Sequence, residues 1–389
     1  MAHAVTLRWV LSRISALFIV ASLLVGVAGA QQTITGVTAN GALYQFIVPS
    51  PWNGQLVIYA HGAVPAGAPI ALPNNPLELQ MFAALANQGF ALAMSSYAEN
   101  GWAEKNGAQT THQLLGLFTS RISAPTRAYL AGTSLGGLVV VDLAERFPDQ
   151  YDGALALCSI VGGAPLEFQY EGDGRVLFDY FFPGVLPGDL LHTPNLDFSP
   201  GSPTFTAVAN ALSIGLIAPG QPTLQFANVA GLPGSTLDEI VFSGITVVGD
   251  SLGFNDLLQR THGHNSYDNT ATVFSGSADD AALNAGVERF TATPAGLNYV
   301  AKYYTPTGQL GIPILTLHTT QDPAVAFSQE QAYAATVAAA GASQFLVQQS
   351  VNRYGHCNLK PEEILNSFQG LLLWVNFGIT PPGGDVTVP

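Results

Sequence analysis

A chain of 389 residues, 48% of them hydrophobic, can bury a substantial core in one large domain or two ordinary ones, which excludes a disordered protein. Only 10% of the residues are charged, and 26 acidic against 12 basic side chains leave a formal net charge of −14. A surface this acidic repels nucleic-acid phosphates and anionic lipid headgroups, so neither is expected as a partner.

Residues 1–30 read as an export signal. Arg8 and Arg13 precede an apolar run from Ile14 to Val25, and Ala28-Gly29-Ala30 supplies a cleavage site that starts the mature chain near Gln31. The run is short for an uncleaved anchor, and no Cys follows it to carry a lipid. Without the signal, 10 basic and 26 acidic residues remain, a charge of −16 on a protein expected to be secreted or periplasmic, with no later stretch able to span a bilayer. Its two cysteines, Cys158 and Cys357, are expected to be joined in that compartment; two buried free thiols are the alternative.

Beyond the signal, residues 33–48 alternate like a hairpin around Asn40-Gly41. Gln55 to Ala60 is an apolar strand ending at His61-Gly62. Helical spacing follows over Pro76 to Asn87, and Phe90 to Ser96 reads as the next strand. A helix around Ala108 to Ser120, a strand from Arg127 to Ala131, a helix from Gly136 to Arg146 and a strand from Gly153 to Cys158 come next. Strict strand–helix alternation with strands apolar throughout predicts a mostly parallel sheet with helices on both faces, an α/β fold. The alternation breaks over 163–308, which is rich in Gly, Pro, Phe and Tyr, with possible helices at Asp238 to Leu258 and Ala281 to Tyr304. This stretch is expected to be a large cap inserted into a core of 31–162 and 309–389. Its aromatic cluster from Phe168 to Phe182 suits either a substrate pocket or the cap's own core. A strand at Pro313 to His318, a helix at Ser328 to Ala340, a strand at Gln344 to Ser350, a loop from Val351 to Leu359 and a helix from Pro361 to Phe377 complete the core. The Pro- and Gly-rich tail from Thr380 is expected to lie free of it.

Gly132-Thr133-Ser134-Leu135-Gly136 sits between a predicted strand and a predicted helix, the setting in which Gly-x-Ser-x-Gly presents a nucleophilic serine on a tight turn. A base is then needed on a loop after the last large strand, and of the eight histidines only His356 has that place and chain order. Asp322, after the strand that ends at His318, is the carboxylate expected to hold His356 in its working tautomer. The order Ser134, Asp322, His356 is the one this arrangement requires. The expected oxyanion donors are the backbone N–H of Leu135 and one from the loop after the third strand, from Ala63 or its neighbour Gly62. His61 is expected to brace that loop, and Tyr97 to Trp102 either to wall the cleft or to form an ordinary loop. His262-Gly263-His264 with Asp268 lacks the ligand number and spacing of a zinc site and reads as a polar loop.

These motifs resemble the α/β-hydrolase superfamily. The match covers about residues 33–162 and 309–378, through strand-His61-Gly62, strand-Gly132 to Gly137, strand-Asp322 and strand-His356. Gly153 to Ser159 is similar to the strand after the nucleophile in exported esterases and prolyl-oligopeptidase-like hydrolases. The resemblance implies a serine hydrolase that uses no cofactor and no metal. Its expected substrate is a small-molecule or polymeric carboxylic ester. A peptidase of the prolyl-oligopeptidase type is the alternative enzyme, although the chain lacks room for that group's N-terminal propeller. A hydrolase fold reused for binding is the non-enzymatic alternative.

Overall fold

The computed structural model describes residues 31–388; the expected export signal over 1–30 lies outside the described residues. Strands β1 (Gln32–Val37) and β2 (Leu43–Val48) form the antiparallel hairpin read from the sequence, with Val37 opposite Leu43. Tyr44, Phe46 and Val48 alternate inward, as a half-buried strand requires. From β3 (Gln55–Ala60) onward the chain alternates: α1 (Pro76–Asn87), β4 (Ala91–Ser95), α2 (Glu104–Arg121), β5 (Arg127–Thr133), α3 (Leu135–Arg146), β6 (Gly153–Leu157). Seven helices follow: α4 (Ala164–Phe181), α5 (Pro203–Gly215), α6 (Pro222–Ala230), α7 (Leu237–Ser251), α8 (Phe254–Arg260), α9 (Asp280–Gly286) and α10 (Pro294–Tyr303). The chain then returns to the sheet through β7 (Ile314–Gln321), α11 (Ser328–Ala339), β8 (Leu346–Tyr354), α12 (Pro361–Phe377) and β9 (Gly384–Asp385).

The strands form one sheet in the order β1-β2-β4-β3-β5-β6-β7-β8-β9, with β3 to β9 parallel to one another and the β1–β2 and β2–β4 pairings antiparallel. On one face Ile58, Leu130 and Ala156 pack with Leu114, Phe118, Val140 and Tyr333 from α2, α3 and α11. On the other, Val57, Tyr129 and Leu315 pack with Phe82, Leu85, Phe368 and Leu371 from α1 and α12. Burial on both faces is why β6 and the middles of β3, β4 and β5 are apolar throughout. The inserted helices have their own core, in which Phe168, Phe178, Phe226, Val247 and Tyr267 meet Trp102, Leu135 and Leu138 of the sheet layer.

The segment from Asp238 to Leu258 is helical as expected, holding α7 and α8 with a break at Leu252-Gly253, and that from Ala281 to Tyr304 holds α9 and α10, the latter capped by the Thr293 side chain before Pro294. Other expectations need correction. Helix α4 was hidden by Gly172 and Gly174, which are poor helix formers. Tertiary packing explains them: a Cβ on Gly172 would stand 2.5 Å from the Tyr267 ring, and one on Gly174 2.5 Å from Val247. Strand β8 runs on to Tyr354, past the expected loop start at Val351, because β7 extends beyond His318 to pair with it across an irregularity between Thr319 and Gln321. Nor is the tail free. Gly384–Asp385 adds a strand beside β8, the Val386 N–H donates to the Ser350 carbonyl, and the Val388 N–H donates to Glu363.

Candidate active site

The C-terminal ends of the parallel strands gather the residues singled out in the sequence. Four non-glycine residues at these ends hold positive φ: Tyr97 after β4 (53°), Ser134 after β5 (53°), Cys158 after β6 (44°) and Cys357 after β8 (50°). Each such residue costs on the order of 1–3 kcal/mol, and such strain concentrates at functional sites.

Ser134 occupies the turn between β5 and α3, with its N–H donating to the Leu157 carbonyl at 2.9 Å. The turn is possible because its flanking residues lack side chains: a Cβ on Gly136 would stand 2.1 Å from the Ala60 carbonyl oxygen, and one on Gly132 2.2 Å from the Gly136 oxygen. Leu135 opens α3 beside the serine. Gly62 lies against it, and an added Cβ would meet Ser134 Cβ at 3.1 Å and the Thr133 carbonyl at 3.3 Å; Ala63 is the next, exposed residue. Gly62→Ala is therefore expected to displace the serine and lower kcat by about a hundredfold while the melting temperature stays nearly constant. Parallel assays and melts of the variant would show it, and unchanged kcat would refute it.

His61 braces this loop, as expected. Its Nδ1 lies 2.7 Å from the Gly62 carbonyl, so Nδ1 carries the proton, and its ring stacks on Tyr97 with centroids 3.9 Å apart. The Tyr97 hydroxyl donates to the His61 carbonyl. Burial pushes the His61 pKa down and keeps the ring neutral. The loop that follows walls the insertion: the Trp102 N–H donates to Asp256, and its ring packs edge-on against Phe168 at 4.6 Å.

Asp322 and His356 meet. Asp322 Oδ2 lies 2.8 Å from His356 Nδ1, while Oδ1 accepts the Ala324 and Val325 N–H groups, both at 2.9 Å. The side chain of Asp322 is fully buried, which opposes its charge, but His356 and His318 hold its pKa well below the usual carboxylate range. Among the described residues no hydrogen bond joins Ser134 Oγ to His356; Nε2 lies 3.6 Å from Cys357 Sγ. The cysteines are bridged, Cα to Cα 5.3 Å, so the end of β6 is tied to the residue after His356. Nε2 and the two sulfurs all lie within 4.8 Å of one another, and in the disulfide neither sulfur is a thiolate ligand for a metal. His262, His264 and Asp268 stay in the inserted layer, where Asp268 accepts N–H bonds from Thr270 and Ala292.

Sequence reasoning missed how the insertion grips the site. The Tyr170 hydroxyl on α4 donates to the Pro323 carbonyl, next to Asp322. Tyr354, two residues before His356, donates to the Glu239 carbonyl and lies 2.8 Å from Ser243 Oγ on α7. The Gln329 amide donates to the buried Glu167 carboxylate. Asp250 on α7 is exposed, and the protein around it raises its pKa against the pull of His356. Little in the sequence marks these carboxylates, since their surroundings form only when the helices pack.

Burial raises the pKa of Glu104, Glu167 and Glu171 well above the usual carboxylate value, and that of Asp179 to about 6. A carboxyl with a raised folded-state pKa binds more protons folded than unfolded, so its contribution falls as pH rises from about 4.5 toward the folded value. The melting temperature is therefore expected to peak near pH 5 and to decline toward pH 8. Scanning calorimetry across that range checks the sign, and a melting temperature climbing to pH 8 would contradict it.

No family model matches the chain. An uncharacterized esterase of Agrobacterium fabrum is 28% identical over 171 residues, 39% of this chain and 31% of the relative, so the chain spans about a third of that relative's length. A crystal structure of an esterase from Aspergillus oryzae is 14% identical and superposes with a TM-score of 0.51, covering 90% of this chain and 80% of that one. Feruloyl esterase B from Aspergillus oryzae, also 14% identical, covers the same shares at a TM-score of 0.47. At such identities the structural likeness speaks to fold alone, and the chain has the α/β-hydrolase fold.

Proposed function

We propose that this α/β-hydrolase-fold chain is an exported serine hydrolase that cleaves carboxylic esters through Ser134, His356 and Asp322. The observation that carries the reading is the 2.8 Å bond from Asp322 to His356 Nδ1, on the strand-end rim that also bears the turn at Ser134. Asp322 keeps the proton on Nδ1, which leaves Nε2 free to act as a base. When substrate closes the remaining contact, Nε2 takes the Ser134 proton as Oγ attacks the ester carbonyl. The N–H groups of Leu135 and of Gly62 or Ala63 receive the oxyanion, each worth about a hundred- to a thousandfold in rate. His356 then protonates the leaving alcohol, and water, activated by the same nitrogen, hydrolyses the acyl-enzyme and releases the acid and Ser134. The seven inserted helices act as a cap that encloses the acyl or alcohol group.

The test is labelling with a fluorophosphonate, with the modified peptide identified by mass spectrometry. Adduct on Ser134 in the parent protein and none in Ser134→Ala is expected; equal labelling of both would refute the assignment. Turnover of p-nitrophenyl esters and not of aminoacyl-nitroanilides would separate ester hydrolysis from peptide hydrolysis.

A further inference from the structure

We propose that His318 is a buried imidazolium behind Asp322, a positioning residue that sets the orientation of that carboxylate and places a positive charge behind the Asp322–His356 pair. The inference rests on the esterase reading for its catalytic half, while the charge is argued from the acceptors that surround a fully buried ring.

His318 lies in β7 with no exposed surface. Its Nε2 is 3.1 Å from the Val325 carbonyl and 3.5 Å from Asp322 Oδ2; its Nδ1 is 3.1 Å from Glu330 Oε1. A carbonyl only accepts, so Nε2 carries a proton. Glu330 Oε2 already accepts from the Thr316 hydroxyl at 2.6 Å and the Gln348 amide at 2.5 Å, so the contact between Nδ1 and Oε1 is the one left to hold a proton. That proton is placed on Nδ1, the atom of the pair with the higher intrinsic basicity. Two N–H groups make a cation. Burial opposes that charge, and the nearby Asp322 and Glu330 carboxylates outweigh it, raising the pKa to about 9. Other titratable groups near it are Glu167 from α4 and His356 across Asp322.

Asp322 thus stands between two imidazoles, one permanently charged and one that must cycle. The His318 cation draws on the same oxygen, Oδ2, that holds His356 Nδ1. A fixed positive charge behind Asp322 repels a second one across the carboxylate. The acid limb of the kcat/KM profile reports the free enzyme's base, so removing the charge is expected to move that limb to higher pH.

The experiment has two arms. In the first, ¹⁵N-histidine-labelled protein is titrated by NMR, with His318→Gln assigning the resonances. Both His318 nitrogens should remain protonated at pH 7, and one bare nitrogen there would overturn the proposal. This arm needs no activity, so it stands even if the protein proves not to be an esterase. In the second, the kcat/KM profile on a p-nitrophenyl ester is measured for the parent, His318→Gln and the isosteric Glu330→Gln. The limb should rise by roughly one pH unit in the first variant, about tenfold in rate on the limb, and by less in the second. A lower plateau with an unmoved limb in both variants would mean that His318 only packs. Should His318→Gln fail to fold, the Glu330→Gln profile and the parent spectrum decide. A parent protein that neither hydrolyses esters nor takes a fluorophosphonate on Ser134 would sink the esterase reading, leaving the charge to the spectrum.

Discussion

Asp322→Asn is expected to lower kcat on any accepted ester by about ten-thousandfold while leaving the fold and substrate binding largely intact. The size follows from how the carboxylate is held. Oδ1 accepts two backbone N–H groups, from Ala324 and Val325, at 2.9 Å each. An asparagine in this place must keep its oxygen there, because turning it would aim an NH₂ group at two donors. The NH₂ then faces His356 Nδ1, now 2.8 Å from a donor instead of an acceptor. The imidazole must move its proton to Nε2, and a protonated Nε2 cannot accept one from Ser134. The same NH₂ also opposes the His318 N–H, so the buried cation loses one of its two carboxylates. Acyl-enzyme burst kinetics would locate the loss in acylation; a variant within tenfold of the parent would show that another group orients His356.

Replacing both Cys158 and Cys357 by Ala is expected to have the largest effect on stability. The bridge spans 199 residues of chain and closes across the catalytic rim. Loop-closure entropy for that length sets an upper bound of about 5 kcal/mol. Spread over a chain of this size, that is a fall in melting temperature of up to about 7 °C. Activity should suffer as well, by about tenfold at 25 °C, because His356 Nε2 is 3.6 Å from the Cys357 sulfur and its loop loses one tether. It should not vanish. The Gly355 N–H still donates to the Gln321 carbonyl, Thr319 to the Gly355 carbonyl, and Tyr354 to α7. Thermal melts and assays of the variant measure both effects. A thiol titration of the unfolded, unreduced parent adds a separate control, since two equivalents of free thiol would show that no bridge exists.

Much of the site was legible before folding. Strand β3, helices α1 and α12 and the starts of β5 and β6 fall where apolar runs and stop signals place them. Parallel strands buried on both faces admit few polar residues, so the chemistry is pushed to the loops at their ends, where Ser134, Asp322 and His356 stand out against an apolar background. The pairing of Cys158 with Cys357 was legible for a related reason, as both adjoin that edge.

Local signals failed where contacts across the chain decide. Gly172 and Gly174 argue against a helix until Tyr267 and Val247 arrive beside them. The proline-bearing tail looks free until β8 offers an edge to pair with. In the sequence His318 is only the last residue of a predicted strand; the charge proposed for it depends on Glu330 and on the carbonyl of Val325, which only the packed turn after β7 brings to its two nitrogens. The sequence by itself determined which residues are the candidate reacting groups and their order along the chain, because those follow from residue type at the end of a patterned strand. Only the tertiary structure decided which protons those groups hold and how the inserted helices clamp them, because desolvation and hydrogen-bond partners exist only once distant segments have packed together.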